Sequence, residues 1–250
     1  MKYNKKIFKA EFISRPNRFN AIVKLNGEEI KVHVPNTGRC REILVPGCTV
    51  FLRDEPNPTR KTPYDLIAVY KGEKLISIDS QIPNKVIDEA LRNKRIKGLE
   101  EYTNILREKT FGKSRFDFKI STEDGNEYFL EVKGVTLEED RYARFPDAPT
   151  ERGARHLLEL VEAKKQGYGA GVMFLIQLED VNKFSPNDIR DKEFGEALRF
   201  ANENGVDIFA YNCIVTEDTI EINQPEGHLR FHHCRRASCR RESVRPLSCS

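Results

Sequence analysis

A chain of 250 residues has room for one large or two small domains. No apolar run reaches the ~20 residues that cross a bilayer, and Lys2, Lys5 and Lys6 lead into no signal-type segment. A cytoplasmic protein is therefore expected, and its six cysteines are not read as a disulfide framework. The net charge of +3 belongs to the last stretch: from His228 onward the chain carries +5, leaving −2 for the rest.

Up to about Ser80 the sequence consists of short alternating runs separated by turn residues. Phe8 to Phe12, Ala21 to Leu25, Ile30 to Val34 and Thr49 to Leu52 are candidate strands, and Asn26-Gly27 is a hairpin signal between two of them. The spacing fits an OB-type barrel over residues 1–80, although periodicity alone does not separate it from another small barrel. Such barrels bind single strands in a basic groove with aromatic platforms. Candidate groove residues are Arg15, Arg18, Phe19, Arg39, Arg60, Lys61 and Tyr64. Arg15-x-x-Arg18-Phe19 sets two guanidiniums and a ring close together. The competing reading is a charged surface with Phe19 in the core.

After Ser80 the character changes. Asn84 is placed to cap a helix with the apolar stripe Val86, Ile87, Ala90 and Leu91, and Glu89 lies on its flank. Arg115 to Ile120 alternates, with Phe116, Phe118 and Ile120 expected on one face and Asp117 and Lys119 on the other. Tyr128 to Lys133 also alternates, setting Phe129, Glu131 and Lys133 apart from Tyr128, Leu130 and Val132. Turn residues from Glu123 to Glu127 join the two as a hairpin.

Register then becomes a prediction. A two-residue turn at Asp124-Gly125 would put Asp117 opposite Val132 and split the polar groups between faces. A three- or five-residue loop puts Asp117 opposite Glu131 or Lys133, and the hydrophobic alternation favours this.

Asp117 with Glu131-Val132-Lys133 is a minimal kit for holding a divalent metal against a phosphodiester. Two carboxylates supply hard oxygen ligands, and the lysine orients or activates a water. The competing reading is a solvated hairpin face with a weak surface ion pair.

Downstream, Thr150-Glu151-Arg152-Gly153 opens a helix with Ala154, Leu157, Leu158 and Val161 at helical spacing, and Gly167 stops it. Val172 to Ile176 reads as a strand covered on both faces. Arg152 and His156, one turn apart, are candidates for contacting a substrate phosphate, with a solvated or capping role as the competing reading. Gln177 is a weaker candidate of the same kind. The order helix, strand, strand, helix, strand suits a mixed sheet flanked by helices over residues 81–227. The tail, 228–250, has three readings: a disordered arginine-rich arm, a zinc site from His232, His233, Cys234 and Cys239, or a segment outside the functional body. The last is preferred.

Several separated motifs carry a family resemblance. They are Pro35-Asn36-Thr37-Gly38, Asn57-Pro58-Thr59-Arg60-Lys61-Thr62-Pro63-Tyr64, Pro83-Asn84 with Glu89-Ala90-Leu91, Ser114-Arg115-Phe116-Asp117-Phe118, Glu131-Val132-Lys133, and Phe145-Pro146-Asp147-Ala148 with Thr150-Glu151-Arg152-Gly153. With these the chain resembles the sugar fermentation stimulation protein A family from about residue 7 to about residue 223. It departs from the family's usual residues at Arg39-Cys40, at Gly134 and after Pro63-Tyr64.

The resemblance implies an α/β (α+β) chain, with an N-terminal OB-like β-barrel and a C-terminal core similar to the PD-(D/E)xK nucleases. It also implies DNA binding and a role in regulating sugar (maltose) utilisation. The expected chemistry is metal-dependent phosphodiester hydrolysis on nucleic acid, DNA foremost. Asp117, Glu131 and Lys133 would be catalytic, with Mg²⁺ or Mn²⁺ held by Asp117, Glu131, the Val132 carbonyl and Glu89. The alternatives are a DNA-binding regulator that does not cleave and, more distantly, a carbohydrate-binding module.

Overall fold

The computed structural model describes residues 1–36 and 38–223; Thr37 and the tail, with its zinc and arm readings, lie outside the described residues. No described helix is long and apolar enough to cross a membrane.

The first sheet comprises β1 (Ile7–Asn17), β2 (Asn20–Leu25), β3 (Glu28–His33), β4 (Thr49–Asp54), β5 (Tyr64–Lys71) and β6 (Lys74–Ser77), in the order β3-β2-β1-β4-β5-β6. It curls until β3 meets β5 at one pair, His33 with Asp65, which gives the strand circuit of an OB-like barrel. Asn26 and Gly27 turn the β2–β3 hairpin with φ of 52° and 91°, the left-handed pair a two-residue turn requires. A cluster of buried ions sits at the closure. Arg53 donates to Glu55, Asp65 and Asp79, while His33 bonds Asp65 at 2.8 Å.

After β6 come α1 (Ile82–Arg92), β7 (Asn104–Phe111), β8 (Ser114–Ser121), β9 (Glu127–Val135), β10 (Glu138–Glu139), β11 (Tyr142–Phe145), α2 (Glu151–Lys165), β12 (Gly169–Ile176), β13 (Lys183–Pro186), α3 (Lys192–Glu203), β14 (Asp207–Val215) and β15 (Ile220–Ile222). The main sheet runs β15-β14-β12-β9-β8-β7, with β9, β12 and β14 parallel and β8 antiparallel to β9. Strands β10, β11 and β13 form a small separate sheet.

Helix α1 buries Val86, Ile87, Ala90 and Leu91 against one face of the sheet, in a cluster with Leu130, Val132, Met173 and Leu175. Helices α2 and α3 cover the other face, where Leu157, Leu160, Val161, Phe194 and Leu198 meet Phe129, Val172, Phe174 and Ile176. Alternate residues of β12 thus enter opposite clusters, as expected of a strand buried on both sides. This helix-covered sheet has the PD-(D/E)xK nuclease-like arrangement.

Barrel and sheet are not separate cores. Phe12, Val23 and Leu52 share one apolar cluster with Phe116 and Phe174. The Ser77 amide also donates to the Gln177 carbonyl at 3.0 Å, linking the last barrel strand to the end of β12.

Three local expectations are corrected. The N-cap of α1 is Gln81, not Asn84, because Pro83 falls in the first turn and Asp79 Oδ1 takes the Gln81 amide at 2.9 Å. Leu158 is 49% exposed, and Leu160 is the α2 residue that turns inward instead. Phe116 does not share a face with Phe118 and Ile120, and the cause of that reversal defines the site.

Candidate metal and nucleic-acid site

Strands β8 and β9 are joined across Thr122 to Asn126, with Phe118 opposite Leu130 and Ile120 opposite Tyr128. This is the odd-loop register, and extended by one residue it sets Asp117 against Glu131. The recorded pairing stops at Phe118, where β8 parts from β9. Across on β7, Glu108 takes a left-handed φ of 53° between the pairs Arg107–Phe118 and Lys109–Phe116. Alternation breaks there. Phe118 stays on the α1 side, and Phe116 packs on the α2 side against Phe129 (5.7 Å) and edge-on to His156 (5.9 Å).

Asp117 lies in this fork. Its Oδ2 accepts the Val132 amide at 2.8 Å, standing in for the neighbouring strand that β9 has lost. Its Oδ1 accepts from Asn84 Nδ2 at 2.7 Å, so the α1 residue expected to cap the helix orients the carboxylate instead. Burial, and then the neighbouring Glu131 charge, raise the Asp117 carboxyl above its ordinary range against these two donors.

Glu131 is 4% exposed. Its Oε1 accepts from Lys133 Nζ at 2.6 Å and bonds His156 Nδ1 at 2.7 Å. His156 Nε2 in turn accepts from Arg152 Nε at 3.3 Å, which assigns the proton to Nδ1 and makes the neutral imidazole a donor to Glu131. Burial pushes the Glu131 carboxyl up, but the His156 bond and Lys133 outweigh it and hold the group below its ordinary range. Oε2 is sealed from solvent and has no hydrogen bond. Two coupled carboxylates, one with a bare buried oxygen, form a donor set that suits a hard divalent cation.

The other expected residues divide. Glu89 is not at this site: further along α1, its Oε1 accepts from the Met1 amine at 3.0 Å. Among the described residues no group of three or more His, Cys, Asp or Glu could hold a metal, so protein carboxylates would be two in number. His156 is 2% exposed and bound to Glu131, which removes it from phosphate contact and makes it a support for the carboxylate. Arg152 remains exposed at the start of α2. Gln177 is buried, its Nε2 donating to the Ser77 carbonyl (3.1 Å), Ser77 Oγ (3.3 Å) and the Asp79 carbonyl (3.2 Å). It therefore ties barrel to sheet and does not reach toward phosphate.

On the barrel, the Arg15 guanidinium is spent on four carbonyls, those of Arg18, Asn36, Gly38 and Arg39. Arg60 is bound into the buried ion cluster through Asp65 and Glu55. Neither is free for phosphate. Arg18, Arg39 and Lys61 are exposed. Phe19 is 53% exposed with the Arg18 guanidinium 5.7 Å from its ring centre, so the core reading of this side chain fails. Tyr64 is half-buried, edge-on to Phe8 at 5.5 Å. The role of Asn84 at the site, and Arg41 altogether, escaped the sequence reading. The first looked like a cap, and only the fold of the loop brings the second to the rim with Arg18 and Arg39.

An OB-like barrel fused to a nuclease-like sheet, with an acid and a Glu-x-Lys at a strand fork, defines the class of protein. Residues 13–78 match the "SfsA N-terminal OB domain" and residues 81–219 the "Sugar fermentation stimulation protein RE domain". The chain belongs to the sugar fermentation stimulation protein family. It is 68% identical over 222 residues to a sugar fermentation stimulation protein homolog of Clostridium perfringens (strain 13 / Type A), covering 89% of this chain and 96% of that relative. With the homolog of Clostridium botulinum (strain Kyoto / Type A2) it shares 66% over 225 residues, covering 90% and 98%. The Pyrococcus furiosus SfsA structure, solved in complex with Ca²⁺, superimposes with a TM-score of 0.83 at 30% identity, covering 93% of this chain and 100% of that one.

Proposed function

We propose that this protein binds nucleic acid, DNA foremost, in the cytoplasm and hydrolyses phosphodiester bonds with a divalent metal, Mg²⁺ or Mn²⁺, held at Asp117 and Glu131. The observation that carries the reading is Glu131 Oε2, a buried carboxylate oxygen without a partner beside a second carboxylate whose ionisation it opposes. A hard cation relieves both costs. The Ca²⁺ complex of the P. furiosus relative supports such a site.

Asp117, Glu131 and the Val132 carbonyl would hold the ion, and bound waters would complete its shell. When bound, the metal supplies charge for the phosphate and a more acidic water. The chain's own residues set the geometry. Asn84 and the Val132 amide fix Asp117, and His156 with Lys133 fixes Glu131 as an anion. Lys133 Nζ, held at the fork by Glu131, would orient the attacking water and offset negative charge developing on the phosphate. Arg152, Arg18, Arg39, Lys61 and Phe19 offer phosphate and base contacts around it.

The test is a cleavage assay on single- and double-stranded DNA and RNA with Mg²⁺ or Mn²⁺, using wild type, Glu131→Ala and Lys133→Ala. Cleavage is expected in wild type alone, and activity that survives both substitutions refutes the assignment. Salt-sensitive binding with no product under any metal would instead identify a non-cleaving DNA-binding regulator.

A further inference from the structure

Between the barrel loop at Asn36 and Gly38 and the far end of β9 lies a cavity of about 180 Å³, walled by Gly134, Thr136, Arg144, Phe145, Asp147 and Gln177. It holds the volume of about six waters, and it is smaller than the several hundred Å³ usual for pockets of drug-sized ligands. Gln177, 2% exposed, is its fixed feature. Three acceptors hold its Nε2, so the amide cannot flip, and Oε1 is turned toward Gly134 with no donor on it among the described residues. A Cβ at position 134 would sit 2.5 Å from that oxygen and 2.8 Å from Pro83 Cγ, so only glycine leaves the carbonyl its place.

The remaining walls add complementary chemistry. The half-buried Phe145 ring is braced from behind by Phe194 at 5.1 Å and Phe174 at 5.5 Å. Asp147 is exposed. The Arg144 guanidinium lies 4.2 Å over the Tyr142 ring and is oriented by Glu139 at 2.8 Å, with the rest of its N–H groups left to donate. A flat ring, two acceptors and one guanidinium suit a planar heterocycle that presents N–H groups. Position narrows the ligand further. Gly134 directly follows Lys133, and Pro83 directly precedes Asn84, which holds Asp117.

We propose that this cavity receives one unpaired nucleobase of the strand whose backbone lies at Asp117 and Glu131, directing the protein to single-stranded or unpaired positions. The proposal rests on the nucleic-acid reading above. It also follows the energetics of base extrusion, since unpaired bases have already lost the stacking and pairing that a duplex must give up.

The test uses short single-stranded DNA carrying one 2-aminopurine, scanned through every position, with the full chain in EDTA so that no cleavage intervenes. At one position the emission should rise several-fold on binding, and an abasic residue there should weaken binding about tenfold. Gly134→Val should abolish the rise. Should that variant not fold, Asp147→Ala, a change at an exposed side chain, should cut the tenfold preference to threefold or less. Binding with flat emission and equal affinity for the abasic strand overturns the base site alone. A rise that neither variant alters also overturns it. No binding to any strand overturns both this proposal and the reading beneath it.

Discussion

His156→Ala tests whether the site is held from behind. The side chain is 2% exposed, donates to Glu131 Oε1 at 2.7 Å and accepts from Arg152 at 3.3 Å. Its loss removes a hydrogen bond to a buried charge, about 1.5–3 kcal/mol. It also leaves a void beside Phe116, and together these should cost about 3–5 kcal/mol. For a chain of this size that is a fall of about 6–20 °C in melting temperature. Glu131 would keep Lys133 as its one donor, and metal affinity should drop about 10–100-fold. His156→Asn, whose amide reproduces the Nδ1 donor, should recover part of both losses. Thermal melts by circular dichroism, with and without Mn²⁺, and calorimetric metal titration measure the two effects. A His156→Ala protein within about 0.5 kcal/mol of wild type and with unchanged metal affinity would refute the support role.

Saturating Mn²⁺ at about 100 times Kd should stabilise wild type by about 2.7 kcal/mol, and Asp117→Asn or Glu131→Gln should abolish that shift in the same melts. Arg18→Ala and Arg39→Ala should each reduce the log–log salt slope of DNA binding by about 1, read by anisotropy titration at several ionic strengths. Arg15→Ala should instead lower the melting temperature, because its guanidinium holds four carbonyls of the loop. In pH-dependent melts Glu55, Asp65, Glu131 and Glu138, all held below their ordinary range, contribute stability present above about pH 4.5 and lost as pH falls through their folded values. Asp117 has the opposite sign: raised, it favours the fold below its ordinary pKa of 3.8, and that contribution is lost as pH rises through its folded value.

Strands β1 to β4, the Asn26-Gly27 hairpin, α2 opening after Thr150, and β12 were legible because each is decided by local periodicity or turn chemistry. The β8–β9 register was legible for the same reason, since only an odd loop lets both hydrophobic alternations face the core. Glu89 was misplaced because helical spacing gives a face and not what that face meets. The face of α1 that reaches Asp117 is that of Asn84, within its first turn. The fate of Phe116 turned on a left-handed residue, Glu108, in β7, a strand that carries no clear alternation: of Asn104 to Phe111 only Ile105 and Phe111 are even half-buried. Arg15 and Arg60 read as free cations because sequence shows charge but not the carbonyls and carboxylates that fold onto it.

The fork at Asp117 makes one carboxylate serve two masters. Its Oδ2 closes the hydrogen bond that β9 would otherwise lack at Val132, and a metal must draw on the same oxygen pair. With several lone pairs on the carboxylate, an ion that keeps Asp117 charged would also strengthen its hold on the Val132 amide. The Val132 N–H should exchange with solvent deuterium more slowly when the ion is bound, while the Leu130 and Tyr128 amides, further down the paired strands, change less. The strand itself would report the filling of its own site, with no label and no substrate present.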